Sequence, residues 1–200
     1  GGMPIIWHIM KLYSKHGIND FIICLGYKGY LIKEFFSNYS LHTSDITINT
    51  KKNKIITHKK DTENWNITLV NTGENTMTGG RILKIKNYVD DEFCLTYGDG
   101  LSNVNIKKLL EFHNKKNKIA TMTIVRPIAR FGNIKLKENI ITEFKEKDQI
   151  SEGWINGGFF VLKSKIFDFL SSKEDLIFER EPLENLSKKK QLAAFKHESF

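Results

Sequence analysis

The chain has 200 residues, 40% of them apolar, which is enough for one well-buried core and cramped for a second full domain, so a single domain over residues 1–200 is expected. Two cysteines do not make a disulfide framework, no apolar stretch reaches the length of a bilayer span, and the N-terminus lacks a secretory pattern, so a cytoplasmic location is expected. The formal charge of +8 raises the question of nucleic acid, but the lysines are scattered through every segment without aromatic interleaving, so neither nucleic acid nor membrane is an expected partner.

In chain order, "PIIWHIMKLYSKHG" predicts a helix with Pro4 at its first position and Gly17 at its end. "DFIICLGY" reads as a buried strand that uses Cys24 as a small core residue, and "GYLIKEFFSNY" has helical periodicity. "DITINTKKNKIITHK" predicts two strands around a lysine and asparagine turn, and "NWNITLVNTG" another strand. A helix follows from about Gly79, then the strand "FCLTYGDG" with Cys94 in its apolar run, then the amphipathic helix "NVNIKKLLEFHNKKN" with His113 bordering its apolar stripe. "KIATMTIV" is a strand, "FGNIKLKENIITEFKEK" a meander, "WINGGFFVL" a strand, "SKIFDFL" a capped helix, and "QLAAFKHESF" an incoming strand. The alternation predicts an α/β fold, a Rossmann-like, mostly parallel mixed sheet flanked by helices, with a small β meander.

Three stretches carry candidate chemistry. "NTGENTMTGGR" places Thr72, Thr76, Thr78 and three glycines between a strand and a helix, with Arg81 as a forked donor. Such a turn lets backbone approach a ligand and offers helix N–H groups, or it is simply a tight turn rich in capping residues. "YGDG" sets Asp99 at the carboxyl end of a strand, where open α/β sheets bind ligands; a hard cation needs only one or two carboxylates beside phosphate oxygens, and an Asx turn is the plain alternative. In "FKEKD" and "INGGFF", Glu146 could accept from sugar hydroxyls, Lys147 meet a phosphate, and Asn156 and Gly157 reach the same ligand. The six histidines are dispersed without metal-ligand spacing, and no serine or cysteine sits in a nucleophile elbow.

Taken in order, "PIIWHIMKLYSKHGINDFIICLGYKGYLIKEFF", "TGENTMTGGR", "FCLTYGDG", "RFGN", the Glu-Lys pair and "INGGFFVL" resemble the glucose-1-phosphate cytidylyltransferases, a branch of the sugar nucleotidyltransferases, through essentially the whole chain. The resemblance implies that CTP and α-D-glucose 1-phosphate are joined into CDP-glucose and pyrophosphate, a step toward the dideoxysugars of surface polysaccharides such as O-antigen. It implies nucleotide contacts at Thr76, Gly79, Arg81 and Gly98, a magnesium ligand at Asp99, and a sugar-phosphate side formed by Gly132, Glu146, Lys147, Asn156 and Gly157. It also implies a homo-oligomer. Arg81, an all-donor side chain, suits the acceptors of cytosine better than the N–H of uracil.

The chain departs from the family pattern where a glycine-rich first loop and a Pro-Lys-Pro stretch would precede Gly1, and where a second metal-binding aspartate would follow Phe200. Asp148 stands where the family has proline after the Glu-Lys pair. Truncation at both ends is therefore expected, with no complete catalytic set and negligible turnover by these 200 residues alone. Two other readings stand beside this one: a non-catalytic remnant that keeps the fold or an assembly surface, and a sugar nucleotidyltransferase with another base specificity.

Overall fold

The computed structural model describes residues 2–59, 62–127, 133–145 and 153–198, and these form ten strands and six α-helices. The described chain groups into two compact units, each assembled from separated segments. One takes residues Gly17–Val89 and Leu170–Pro182; the other takes Gly1–His16, Asp90–Phe169 and Leu183–Phe200.

In the first unit, β1 (Asp20–Leu25) pairs in parallel with β4 (Asn66–Asn71), Asp20 opposite Asn66 and Leu25 opposite Asn71. The crossover between them runs through α2 (Gly29–Ser37), the short α3 (Tyr39–Thr43) and an antiparallel hairpin of β2 (Asp45–Asn49) and β3 (Lys54–Lys59). The hairpin is the expected pair around its polar turn, where Asn53 takes the left-handed conformation. An aromatic cluster holds the crossover: Trp65 stacks on Tyr39 at 6.0 Å and meets Phe21 edge-on at 5.8 Å. Helix α4 (Thr78–Lys84) follows β4 and is shorter than its periodicity predicts, giving way to a 3-10 turn over Lys86–Tyr88.

The second unit is built on a four-stranded sheet in the order β10 (Leu192–His197), β6 (Ala120–Val125), β9 (Ile155–Lys163), β5 (Glu92–Thr96). β10 and β6 are parallel, whereas β9 runs antiparallel to both neighbours, so the mixed character of the sheet falls on this one strand. The consecutive run Phe159 to Leu162 is buried throughout, as a strand covered on both faces requires. Helix α1 (Ile5–Ser14) buries Ile9, Met10 and Tyr13, with the Tyr13 ring 6.2 Å from Phe159; Pro4 sits at its N-cap, one residue before the position expected. Helix α5 (Ile106–Lys116) is capped by Asn105, whose side chain accepts from the Lys108 N–H at 3.0 Å, and ended by Asn117 in the left-handed conformation.

Four further expectations change. "SKIFDFL" is a 3-10 segment, Ser164–Phe169, rather than an α-helix. The meander is a single hairpin, β7 (Asn133–Lys137) with β8 (Ile140–Lys145). Helix α6 (Glu181–Lys188) forms where no element was expected. His113 does not border the apolar stripe of α5 but lies fully inside it with Ile106 and Leu109. Cys24 and Cys94 are free thiols, half-buried, and burial pushes the first up to about 11 and the second up to about 12.

Candidate functional site

The candidate residues divide between the two units, and Gly132, Glu146 and Lys147 lie outside the described residues. In the first unit the segment between β4 and α4 is organised by side-chain bonds to backbone. The Leu25 carbonyl, at the carboxyl end of β1, accepts from the Thr72 N–H and the Thr72 hydroxyl, both at 2.9 Å, and from Arg81 Nη1 at 3.1 Å. Arg81 Nη1 also donates to Thr72 Oγ1 at 2.6 Å, and Nη2 donates to the Glu74 carbonyl at 3.1 Å. A Cβ at Gly26 would lie 2.5 Å from the guanidinium, so Gly26 makes the room in which Arg81 sits. Three of the five guanidinium donors are thus used, and the other two have no partner among the described residues.

The start of α4 differs from the sequence expectation of free N–H groups. Its first donors are taken by segment 170–182: the Met77 N–H donates to the Glu174 carbonyl and the Gly79 N–H to the Leu176 carbonyl, both at 2.8 Å. Thr78 accepts from the Phe178 N–H and donates to Glu179. A Cβ on Gly79 would meet Leu176 at 2.7 Å, so the structure accounts for this glycine by close packing. The helix terminus is therefore no anion cradle. Thr76 is buried and accepts a bond from Lys84.

In the second unit, strand direction gathers the other candidates at one edge. Thr96 pairs with Phe159, Val125 with Ile155, and His197 with Val125, so the carboxyl ends of β5, β6 and β10 lie beside the amino end of β9. Gly98 and Asp99 leave the end of β5 in a turn, and Asn156 and Gly157 open β9. Asp99 is exposed and has no partner among the described residues; Gly98 and Gly100 have open space around them.

"INGG" is a bulge. Between the pairs Met122 with Phe160 and Ile124 with Asn156, β9 carries three residues against one on β6. Asn156 Oδ1 accepts from the Gly158 N–H at 2.8 Å and Asn156 Nδ2 donates to the Tyr97 hydroxyl at 3.0 Å. Gly158 has φ +79°, and a Cβ there would touch the Tyr97 ring at 2.9 Å, so glycine is required twice over. Asn156 thereby ties β9 to the residue just before Gly98.

Sequence reasoning missed the basic and aromatic groups at this edge. The Trp154 ring has Arg126 at 4.9 Å and Lys196 at 5.3 Å, and His197 Nε2 lies 2.9 Å from Asn103 Oδ1, fastening the loop after Asp99 to β10. Burial lowers the His197 pKa. The signal available was position alone, since Arg126 follows β6 and His197 ends β10.

Asp99 is the residue that could serve a hard cation. No group of three or more His, Cys, Asp or Glu side chains gathers among the described residues; magnesium keeps several waters and takes phosphate oxygens, so it would ask only one or two carboxylates of the protein, and Asp99 is exposed between two glycines.

One unit thus carries a threonine and arginine loop after a parallel strand, and the other a strand-end carboxylate beside a glycine bulge. The family model for nucleotidyl transferases matches residues 1–198, and the chain belongs to that family. Within it, the chain stands with the glucose-1-phosphate cytidylyltransferases. The enzyme of that name from Salmonella typhimurium is 46% identical over 202 residues, covering all of this chain and 78% of that protein, and the one from Salmonella typhi is likewise 46% identical. Among solved structures, HddC from Yersinia pseudotuberculosis matches with a TM-score of 0.67 at 20% identity, covering all of this chain and 79% of that one, which supports the fold.

Proposed function

We propose that this protein transfers the cytidylyl group of CTP to α-D-glucose 1-phosphate, giving CDP-glucose and pyrophosphate. The observation that carries this reading is the 46% identity to a glucose-1-phosphate cytidylyltransferase over the whole chain. In the reaction a phosphate oxygen of the sugar phosphate attacks the α-phosphorus of CTP in line, the new P–O bond forms as the bond to the β-phosphate breaks, and pyrophosphate leaves with that electron pair. Positioning and charge neutralisation suffice, with no covalent enzyme intermediate.

The two unspent donors of Arg81, with Thr76, meet the acceptors of cytosine; Gly98 lets the nucleotide approach the end of β5. Asp99 would hold magnesium, which supplies neutralisation between the phosphates. By resemblance, Gly132, Glu146 and Lys147 join Asn156 and Gly157 in holding the sugar phosphate. Gly79 serves this site through the packing of α4 on Leu176. A homo-oligomer, a cytoplasmic location and a role in surface-polysaccharide dideoxysugar synthesis belong to the same reading and rest on resemblance.

The test is pyrophosphate release by the protein as expressed from its own gene, with magnesium, glucose 1-phosphate and each of CTP, UTP, dTTP and GTP. CTP is expected to be used at least about tenfold better than the others, since each mispaired hydrogen-bonding edge costs about that factor. Preference for another nucleotide would reassign the base, and no release with any of them would favour the non-catalytic reading.

A further inference from the structure

Lys84, on the last turn of α4, is one helical turn beyond Arg81, and its ammonium is committed in full. Nζ donates to the Thr72 carbonyl at 2.9 Å, to Thr76 Oγ1 at 3.1 Å and to Glu174 Oε1 at 3.2 Å. An ammonium has three donors and no acceptor, so these three bonds use all of it. The three acceptors come from well-separated points of the unit, both ends of the loop and segment 170–182. The Glu174 arm is exposed and worth little, since the two side chains are 41% and 72% accessible. The arms to Thr72 and Thr76 reach residues that are buried.

The consequence lies in how the loop's hydroxyl protons are distributed. Thr72 spends its O–H on the Leu25 carbonyl, and Thr78 spends its O–H on Glu179. Thr76 receives a bond from Lys84, and because Lys84 can only donate, the Thr76 oxygen is fixed as acceptor there and its own hydrogen is left over. Among the described residues that hydrogen has no acceptor, although Thr76 is 3% exposed. Gly73 closes the arrangement: with φ +96°, a Cβ there would lie 2.7 Å from Thr76 Oγ1 and 3.4 Å from Lys84 Nζ.

We propose that Lys84 is a positioning residue of the nucleotide site. It clamps the loop from Thr72 to Thr76 and sets the Thr76 hydroxyl as a hydrogen-bond donor toward an acceptor-bearing base edge, as cytosine has at its ring nitrogen and carbonyl. Lys84 itself touches no ligand. The inference rests on the reading of Thr76 and Arg81 as nucleotide contacts.

The test measures CTP and glucose 1-phosphate binding by titration calorimetry, on the protein as expressed from its own gene and on Lys84→Met, Lys84→Arg and Arg81→Ala. Lys84→Met keeps the stem and loses the donors, and is expected to weaken CTP binding about tenfold while glucose 1-phosphate changes less than about twofold. Lys84→Arg, which restores donors of the same charge, is expected to recover most of the loss. Equal weakening of both ligands, failure of arginine to rescue, or unchanged CTP binding in Lys84→Met while Arg81→Ala is impaired overturns the inference and leaves the proposed function standing. Unchanged CTP binding in Arg81→Ala overturns the nucleotide-loop reading and the inference with it. Should Lys84→Met fail to fold, Lys84→Gln, which keeps a neutral donor, is read against the same outcomes.

Discussion

Asp99 is the residue whose surroundings say least about structure and most about chemistry. Its carboxylate has no protein partner among the described residues, it is exposed, and a Cβ added to either glycine neighbour would meet nothing within 4 Å. Removing it should therefore leave the fold alone: Asp99→Ala is expected to shift stability by less than about 0.5 kcal/mol, as surface changes away from any network do. Turnover in magnesium is expected to fall by about 100-fold or more, the scale on which loss of transition-state charge stabilisation is felt. Activity within a few-fold of the parent would remove Asp99 from the metal site. Arg81 is the opposite kind of residue, holding Leu25, Thr72 and Glu74 as well as offering donors, so its substitution will cost order and binding together.

At the scale of elements, two glycines of the same sheet edge separate packing from function. Gly158 in the β9 bulge has φ +79° and would press a Cβ into Tyr97. Gly158→Ala is expected to cost about 2 kcal/mol, read as a fall in Tm of about 4–8 °C for a chain of this size. Gly98, in the turn after β5, has nothing within 4 Å of an added Cβ, so Gly98→Ala is expected to leave Tm unchanged and to weaken CTP binding. If Gly98→Ala lowers Tm as much as Gly158→Ala, the turn is structural and its place beside the nucleotide is withdrawn. The α4 turn teaches the same distinction. Its glycines look like a ligand cradle in sequence, yet they admit Leu176 and the carbonyls of segment 170–182.

For the molecule as a whole, one buried histidine sets part of the response to acid. His113 is fully buried, its Nδ1 is 2.8 Å from Thr121 Oγ1, and Glu92 lies 3.4 Å from its Nε2. Burial, followed by the nearby Lys163 charge, lowers its pKa from 6.5 to about 4. The unfolded chain takes up this proton as pH drops below about 6.5, and the folded chain does so only near 4. The stability contributed by neutral His113 is therefore complete above about 6.5 and lost progressively down to about 4, on the order of 3 kcal/mol in all. Chemical denaturation between pH 7 and pH 4 should show a shallower decline for His113→Gln than for the parent. Parallel declines would place the acid sensitivity in other groups, such as the 23 Asp and Glu carboxylates that offset part of the charge of 31 Lys and Arg residues.

Much of this was legible in the amino-acid order. Apolar periodicity located eight of the ten described strands one by one, the other two as a single meander, and helices α1, α2 and α5, because period is a local property. "YGDG" announced a strand-end carboxylate, and the run of motifs announced the family to which the chain belongs. Tertiary structure alone decided which hydroxyls are spent, that segment 170–182 covers the start of α4, that "INGG" is a bulge fastened to Tyr97, and that His113 is buried. The reason is separation along the chain. Thr78 finds Glu179 across 101 residues and Asn156 finds Tyr97 across 59, and no local pattern states which distant donor will meet which acceptor.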